Sequence, residues 1–300
     1  MFKSGFIGIV GRPNVGKSTL LNALVGERIA ITTRKPQTTR NRITGIRNLK
    51  GERPGQMIFL DTPGIHRART PLNRAMVETA LEAFGASDVV LLLIEAQGLH
   101  ADDRYILETM KDRPAPVVLV INKIDAVEKK NLLPLIDEAQ RLREFVEIIP
   151  LSALTGDGID ILTDALWKLL PEGPVYFPED MMTDRSERFI AAEMIREKIT
   201  TLTHKEIPYA TAVVVDTFKE DEGKNLIRIQ ATIHVEKDSQ KGILIGRKGA
   251  MLKEIGTQAR LEMERFFAAK VFLELFVRVQ KNWTQDARML REFGYAEKER

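Results

Sequence analysis

Short apolar runs alternate with amphipathic stretches in the first half of the chain. The runs are rich in β-branched residues and nearly continuous, at 6–10, 57–61, 88–94, 117–121 and 146–151. This pattern is typical of strands that are buried on both faces. Between the runs, stretches such as Pro71 to Ala83 and Leu132 to Glu144 have the spacing of helices. The alternation predicts a mostly parallel α/β sheet that binds ligands at the carboxyl ends of its strands.

The pattern changes after residues 171–180, PEGPVYFPED, which contain three prolines and a glycine and so disfavour both helix and strand. A chain of 300 residues has room for two cores. We therefore expect one domain over 1–173, a linker over 174–185 and a second domain over 186–300. The second domain has an α+β pattern: a helix from Ser186 to about Thr203, β-rich runs at 209–220 and 225–237, a helix from about Ala250 to Ala268, a strand at 271–279 and a last helix after Asn282.

Composition narrows the functional classes. Hydrophobic residues make up 44% and charged residues 29%, which is ordinary for a folded soluble protein. The absence of cysteine excludes disulfides, thiolate nucleophiles and cysteine-based metal sites, and the four histidines lack ligand spacing. No apolar stretch is long enough to span a bilayer. We expect a cytoplasmic protein.

Residues 11–18, GRPNVGKS, match the pattern G-x-x-x-x-G-K-[ST] directly after the first predicted strand and before a helix-like stretch. Backbone N–H groups and the helix N-terminus would face phosphates, Lys17 would reach the β and γ oxygens, and the Ser18 hydroxyl would bind Mg²⁺. The alternative is a chance glycine turn. The predicted phosphate-binding residues are Gly11, Arg12, Pro13, Asn14, Val15, Gly16, Lys17, Ser18 and Thr19.

The segment NKID, 122–125, follows another predicted strand and indicates which base is bound. The Asp125 carboxylate can accept from the N1–H and the 2-amino group of guanine, and adenine has neither donor. Asn122 would tie this loop to the phosphate loop, and the stem of Lys123 would cover the base plane. NKID alone could be a polar turn, but its place after a buried strand favours the guanine interpretation.

Two further segments end buried strands. In DTPG, 61–64, Asp61 would hold Mg²⁺ through a water and the Gly64 N–H would bond the γ-phosphate, with Thr62 and Pro63 between them. The second segment is SAL, 152–154, which begins with Ser152 and Ala153. The Ala153 N–H could donate to guanine O6, although SAL alone is more typical of an ordinary strand end. Together the four segments predict a site for GTP or GDP with Mg²⁺.

With GRPNVGKS, DTPG, NKID and SAL in this order, residues 1 to 170 resemble the translation-factor-like branch of the GTPases. The resemblance implies that 35–40, KPQTTR, is the first switch, with Thr39 as Mg²⁺ ligand and the adjacent Thr38 as its rival. Lys17, Thr39 and Gly64 would be the catalytic residues.

One departure from related GTPases concerns hydrolysis. Many small signalling GTPases carry a glutamine after DTPG, whereas this chain has Ile65, which cannot orient water by hydrogen bonding, so intrinsic hydrolysis should be slow. In related GTPases the asparagine matching Asn14 can coordinate K⁺, and stimulation by K⁺ is our hypothesis here.

A second glycine loop lies at 242–250, GILIGRKGA, within a stretch from Lys237 to Lys253 that holds five basic residues and one acid. Its core is Gly246-Arg247-Lys248-Gly249. Glycines allow close approach of a backbone, the two cations attract a polyanion, and the following helix offers N–H groups. Alone, the pattern fits a basic turn between helices equally well. Ile243 and Ile245 could contact bases or belong to the core.

The order of elements around this loop resembles a type II KH domain, which clamps about four nucleotides of single-stranded nucleic acid. A P-loop GTPase domain followed by one KH domain, with PQTTR and GILIGRKG, resembles the Era-like family of bacterial GTPases over nearly the whole chain. The resemblance implies binding to the 3′ end of small-subunit ribosomal RNA, help in assembling the small ribosomal subunit, and RNA engagement favoured by GTP. We expect a monomer.

Two other classes stay open at this point. One is a constitutive RNA-binding protein that holds a nucleotide as a structural ligand. Against it, Lys17, Thr39 and Asp61 are all present, and a static site needs no γ-phosphate sensor. The other is a GTPase peripheral on the inner face of the cell membrane, with the basic loop on acidic lipid. The chain lacks the basic amphipathic helix with large exposed aromatics that would favour such binding.

Overall fold

The computed structural model describes residues 1–33, 35, 38–65, 70–110 and 115–295, with the backbone alone described at Glu222. These residues divide into two compact units. The first contains most of the chain up to Asp184, and the second begins at Arg185 and includes the short segments Ile31–Thr38 and Thr70–Leu72. Each unit has its own hydrophobic core, as expected for a chain of this length.

The first unit contains a six-stranded sheet of order β2-β3-β1-β4-β5-β6. Every pairing among β3, β1, β4, β5 and β6 is parallel, whereas β2 runs antiparallel to β3. This confirms the predicted mostly parallel α/β fold. The strands are β1 (Lys3–Gly11), β2 (Ile43–Leu49), β3 (Gly55–Asp61), β4 (Val89–Glu95), β5 (Val117–Asn122) and β6 (Glu147–Pro150).

The helices of this unit follow the strands. They are α1 (Lys17–Val25), α2 (Pro71–Gly85), α3 (Ala101–Thr109), α4 (Leu132–Leu142) and α5 (Ile159–Leu169). Pro71 opens α2, where its fixed φ suits the first helical position and its missing N–H costs nothing. At the start of α3 the Asp103 carboxylate accepts a hydrogen bond from the His100 N–H at 2.9 Å, so this carboxylate caps a helix. The predicted helices at Pro71 and Leu132 are confirmed within two residues at each end.

The apolar pattern did not indicate β2. Its buried residues Ile43 and Ile46 are three apart, while Arg47 and Asn48 make its second half polar, so neither strand alternation nor a continuous apolar run is present. The strand forms because β3 offers a fully buried neighbour on which it can pair. A Cβ on Gly45 would lie 2.5 Å from Leu21 Cδ1 and 2.8 Å from Val25 Cγ2, so a larger residue there would displace these side chains.

The second unit contains a three-stranded sheet of order β7-β8-β9. β7 and β8 form an antiparallel pair, and β9 lies parallel to β8 because two helices connect them. This α+β arrangement is the one predicted. Its elements are α6 (Glu187–Leu202), β7 (Ala212–Asp221), β8 (Leu226–Val235), α7 (Asp238–Ile245), α8 (Ala250–Phe267), β9 (Lys270–Val279) and α9 (Ala287–Glu292).

One face of β8 belongs to the core of this unit. Ile227, Ile229, Ala231, Ile233 and Val235 are all buried in one cluster with residues of α6 and α8. Strand residues between Ala231 and Val235 that point inward therefore belong to the core and cannot meet a base. Among the described residues, no helix combines the length and the apolar character that crossing a membrane requires.

Candidate functional sites

The predicted phosphate loop connects β1 to α1. Gly16 lies at φ 99° and Asn14 at φ 67°, so the turn uses left-handed backbone at two positions. A Cβ on Gly11 would lie 2.7 Å from the Leu93 carbonyl oxygen, which explains the first glycine. The successive N–H groups of this turn and the start of α1 form a concave anion site at the carboxyl end of the sheet.

Lys17 is buried beneath this loop. Its Nζ donates to the carbonyl oxygens of Gly11 and Arg12, each at 3.1 Å. Burial, only partly opposed by the charge of Asp61, lowers the pKa of Lys17 to about 8. Backbone carbonyls thus hold the Lys17 ammonium in place, and the carboxylates nearby only partly compensate its positive charge. Such a group is suited to binding phosphate oxygens.

The predicted Mg²⁺ ligands lie together. Ser18 Oγ donates to Asp61 Oδ2 at 2.7 Å and lies 2.7 Å from Thr39 Oγ1. Burial raises the pKa of Asp61 to about 6, against the opposing charge of Lys17, and Asp61 Oδ1 has no hydrogen-bond partner. A buried carboxylate with an unused oxygen beside two hydroxyls fits a hard cation.

The same cluster distinguishes the two threonines. Thr38 Oγ1 lies 2.7 Å from Thr33 Oγ1 and donates to the Lys35 carbonyl at 2.7 Å. Only Thr39 has its hydroxyl beside Ser18 and Asp61. The geometry therefore favours Thr39 over Thr38 as the metal ligand. Pro36 and Gln37 of the predicted switch lie outside the described residues.

In the described ranges, no three histidine, cysteine or carboxylate side chains lie close enough together to hold a metal ion by themselves. A cation at Asp61 would therefore take its other ligands from hydroxyls, water and the nucleotide. Mg²⁺ binds in this way, because it gives up its water reluctantly and is commonly held by one or two carboxylates together with phosphates.

The DTPG segment packs directly on the phosphate loop. The Ile65 N–H donates to the Gly11 carbonyl at 3.2 Å, and Thr62 Oγ1 donates to the Ile9 carbonyl at 2.9 Å. A Cβ on Gly64 would lie 2.5 Å from Pro13 N, so only glycine permits this approach. Ile65 is 2% exposed and packs in the core, which agrees with its predicted inability to orient water.

Asn122 joins three loops of the site. Its Nδ2 donates to the Val15 carbonyl at 2.8 Å, and its Oδ1 accepts from the N–H groups of Lys123 at 2.8 Å and Ala153 at 3.0 Å. The predicted link between NKID and the phosphate loop is thus present, and SAL is tied to both. Ser152 Oγ donates to Asp125 Oδ1 at 2.6 Å, which orients the carboxylate expected to accept from guanine.

Glu95 belongs to this site, although the sequence did not indicate it. Its carboxylate makes ion pairs with Arg12 of the phosphate loop and with Lys123 of NKID. Burial alone would raise the pKa of Glu95, but the hydrogen bond from Lys123 and the charge of Arg12 outweigh it and the pKa is lowered. Lys123 Nζ also donates to the Asn14 carbonyl at 2.7 Å. Glu95 therefore couples the phosphate-binding and base-binding loops.

The second glycine loop, Gly246 to Gly249, joins α7 to α8. Gly246 has φ 71°, Lys248 φ 52° and Gly249 φ 80°, so three of the four loop residues have positive φ, and Lys248 and Gly249 adopt the left-handed helical conformation. A Cβ on Gly246 would lie 2.7 Å from that of Met251, which requires glycine there. Arg247 and Lys248 are exposed, as a contact with phosphate demands.

The two isoleucines before this loop differ in exposure. Ile243 is 50% exposed and Ile245 is half-buried, whereas Leu244 between them is fully buried. Leu244 therefore anchors α7 to the core, and Ile243 remains free for contact with a base.

A groove of about 400 Å³ continues from the loop along α8 and β9. Leucines supply its floor and polar side chains its rim. The helix positions recur every three or four residues, so a helical stripe that starts at Gly249 could have been read from the sequence. The lining residues are Gly249, Leu252, Lys253, Gly256, Thr257, Arg260, Leu273 and Leu275.

Comparisons with known proteins match both halves of the chain. The profile of the 50S ribosome-binding GTPases matches residues 6–123, and the KH domain profile matches residues 206–284. GTPase Era of Syntrophus aciditrophicus (strain SB) is 66% identical over 298 residues, which cover 99% of this chain and 96% of that protein. This chain belongs to the Era family of GTPases.

Other members of the Era family also match this chain over nearly its full length. GTPase Era of Geobacter metallireducens is 57% identical, with 98% of each chain covered. A crystal structure of Era in complex with MgGDPNP and nucleotides 1506–1542 of 16S ribosomal RNA is 43% identical, covers 99% of this chain and 100% of its own, and superposes with a TM-score of 0.95. A single-residue variant of Aquifex aeolicus Era bound to GDP·AlF4⁻ is 44% identical, covers 98% and 99%, and has a TM-score of 0.94. The predicted GTPase activity and the predicted KH domain are confirmed for this member of the Era family.

Proposed function

We propose that this protein is a GTP-hydrolysing switch that binds the 3′ end of small-subunit ribosomal RNA and assists assembly of the small ribosomal subunit. Residues 1–173 would bind and hydrolyse the nucleotide, 174–185 would act as a linker, and 186–300 would bind RNA. The observation that carries the proposal is that one chain brings Lys17, Ser18, Asp61, Asn122 and Asp125 together at one edge of a sheet and also has an exposed basic glycine loop beside a groove. An Era protein that covers nearly all of this chain was crystallised with such an RNA.

The phosphate loop explains how the nucleotide would be held. N–H groups at the start of α1 would bind the β-phosphate, and Lys17 Nζ, already anchored on two carbonyls, would reach the β and γ oxygens. Ser18 and Thr39 would hold Mg²⁺ directly and Asp61 would hold it through a water, and the bound ion would neutralise charge on the phosphate oxygens. Gly64 would donate its N–H to the γ-phosphate and so distinguish GTP from GDP.

Base recognition would combine three contacts. Asp125, oriented by Ser152, would accept from N1–H and the 2-amino group of guanine. The Lys123 stem would lie on the base plane, held by its ion pair with Glu95. The Ala153 N–H donates to Asn122 Oδ1 at 3.0 Å in this structure, so it would meet guanine O6 by sharing that hydrogen or by exchanging acceptors when the base binds.

Hydrolysis should depend on K⁺. Ile65 is packed in the core where other GTPases have a water-orienting glutamine, so another charge must stabilise the transition state. Asn14, at the turn of the phosphate loop, is the proposed K⁺ ligand. GTP turnover measured in KCl should exceed turnover in NaCl at equal ionic strength. Equal rates of GTP turnover in the two salts would show that Asn14 does not bind a K⁺ ion needed for hydrolysis.

Nucleotide affinity should fall above about pH 8. Phosphate binding requires the charged form of Lys17, whose pKa is about 8. Below that pH the ammonium is already charged and the affinity is constant. Above it, binding must take up a proton, so the affinity for GDP decreases by up to about tenfold per pH unit. Calorimetric titration of GDP from pH 7 to pH 9 measures this.

The matched control is Lys17→Arg, because arginine stays protonated throughout this range. Its affinity for GDP, although weaker, should not change with pH above 8. An alkaline decrease of equal size in both proteins would mean that another group titrates and would contradict the assignment to Lys17.

Crosslinking to RNA in the presence of GTP, GDP or no nucleotide tests the proposed function. Arg247→Asp with Lys248→Asp should abolish the crosslink and leave GTP binding unchanged, because both side chains are exposed and belong to the second unit, whereas the nucleotide motifs belong to the first. Arg188→Asp with Arg265→Asp makes the same charge change at exposed positions on helices of the same unit and should retain the crosslink. Unchanged RNA binding by the loop variant would show that RNA binds at another site.

The same measurements distinguish the other two classes. A constitutive RNA-binding protein would crosslink equally with GTP, GDP and no nucleotide. A GTPase at the inner face of the membrane would float with acidic lipid vesicles when RNA is absent. For the proposed cytoplasmic monomer we expect crosslinking that GTP favours and no flotation.

A further inference from the structure

The β7-β8-β9 sheet has a second face, directed away from the core. On β8 the core residues alternate with Arg228, Gln230 and Thr232, which therefore point to the opposite face. Their partners on β9 are Phe272, Glu274 and Phe276, in that order. We call this surface the outer sheet face.

Two phenylalanine rings on the outer sheet face are exposed to solvent. Phe272 is 47% exposed and Phe276 is 53% exposed, so neither ring serves the core. The two positions are four residues apart on one strand, which separates them by about 13 Å. Aromatic side chains that are exposed on a sheet are typical of surfaces that stack unpaired bases.

The charges around the rings favour a polyanion. The Arg228 guanidinium lies 5.6 Å from the Phe272 ring centroid. The two carboxylates near the rings, Asp216 and Glu274, accept hydrogen bonds from Thr232 and Gln230 and keep their negative charge, so the larger number of exposed cations is what favours a polyanion. Asp221, at the end of β7, lies 3.6 Å from the Lys224 ammonium. The exposed cations on or beside this face are Lys219, Arg228, Lys270 and Arg278.

The outer sheet face is continuous with the site formed by the glycine loop, Gly246 to Gly249, and the groove along α8 and β9. β9 is the last strand of the sheet, and its residues alternate between the two faces. Leu273 and Leu275 line the groove beside α8, while Phe272 and Phe276 lie on the other side of the same strand. A single strand of RNA that leaves the groove over the edge of β9 would reach the rings directly.

We infer that the outer sheet face is a second binding surface for single-stranded RNA, on which bases stack against Phe272 and Phe276. Exposed aromatics on a sheet bind unpaired bases in this way, because every base has a π-face, and neighbouring cations follow the backbone. A protein partner would favour a continuous apolar patch, whereas here Glu274 separates the rings and charged side chains surround them. The inference rests on the proposed RNA binding and extends it beyond the four or so nucleotides that the glycine loop can clamp.

RNA length separates the two surfaces experimentally. An RNA of about four nucleotides can fill the loop and groove, and one of about twelve can also reach the outer sheet face. Phe272→Leu with Phe276→Leu keeps the apolar character and removes the π-faces. We expect this variant to bind the longer RNA about 10- to 100-fold more weakly than the unsubstituted protein, and the shorter RNA equally well. Phe272→Trp with Phe276→Trp should retain or increase the affinity for the longer RNA.

Leu261→Ala is the matched control, because Leu261 is 42% exposed in the same unit but lies on α8 away from the groove lining. It should bind both RNAs normally. If the leucine variant binds the longer RNA as tightly as the unsubstituted protein does, the rings do not stack on bases and the inference is wrong. The same holds if that variant instead loses self-association in sedimentation, which would make a second copy the occupant.

The outcomes also separate this inference from the proposed function. Arg247→Asp with Lys248→Asp should abolish binding of both RNAs, whereas the leucine variant affects only the longer one. If the unsubstituted protein binds neither RNA, both the proposed function and this inference are wrong. If it binds both and gains nothing from length, only the inference is overturned.

Discussion

Asp125→Asn should lower the affinity for GTP by about 1,000-fold and create affinity for xanthosine triphosphate. A site built to hydrogen-bond a donor rejects a ligand that mismatches it by large factors, because buried polar groups are then left unpaired. Ser152 Oγ donates to Asp125 Oδ1 at 2.6 Å, so in the variant the amide oxygen would take that position. The amide NH2 would then face the base. It opposes the N1–H and 2-amino donors of guanine but can donate to the 2-oxo group of xanthine.

Competition between GTP, xanthosine triphosphate and inosine triphosphate measures the change. Asp160→Asn, at an exposed position in the first turn of α5, is the matched control and should keep the preference for GTP. Adding Ser152→Ala to Asp125→Asn should weaken the new preference, because the amide is then free to rotate. A variant at Asp125 that still prefers GTP would show that the base does not lie against this carboxylate.

The nucleotide motifs could be predicted because each is contiguous in the chain. GRPNVGKS forms its turn from its own backbone, and its neighbours β1 and α1 are indicated by local apolar patterns. The strand-then-loop arrangement was enough to place Asp61, Asn122 and Ser152 at one edge of the sheet. The sequence left Thr38 as a rival of Thr39, because the choice depends on contacts with Ser18 and Asp61, which lie 21 and 22 positions away from Thr39 along the chain.

Contacts between distant parts of the chain could not be predicted in this way. Glu95 pairs with Arg12 across 83 positions and with Lys123 across 28, and no local pattern marks it. β2 depends on pairing with β3 for its formation. Because the second half of β2 is polar, the spacing of its apolar residues does not indicate a strand. The outer sheet face appears only when β8 and β9 are paired, because Phe272 and Phe276 alone are ordinary members of an apolar strand.

Gly16→Ala should abolish nucleotide binding, with a loss of affinity of at least about 100-fold. Gly16 lies at φ 99°, where any other residue is strained, and a Cβ there would lie 2.3 Å from Asn122 Nδ2. The Asn122 amide cannot move aside, since it is hydrogen-bonded to Val15, Lys123 and Ala153. The added methyl therefore separates the phosphate loop from the base loops. Backbone strain and broken hydrogen bonds should lower the free energy of unfolding by about 3 kcal/mol.

Gly26→Ala provides the matched control at the other end of the same helix. Gly26 has φ 86°, close to that of Gly16, but a Cβ there meets no atom within 4 Å. Alanine at this position should cost about 1 kcal/mol of stability from backbone strain alone and leave GDP affinity unchanged. Binding of a fluorescent GDP analogue and thermal unfolding without nucleotide measure both effects. Equal losses of affinity in the two variants would mean that backbone conformation alone accounts for the requirement at Gly16, and that the contact with Asn122 contributes nothing to nucleotide binding.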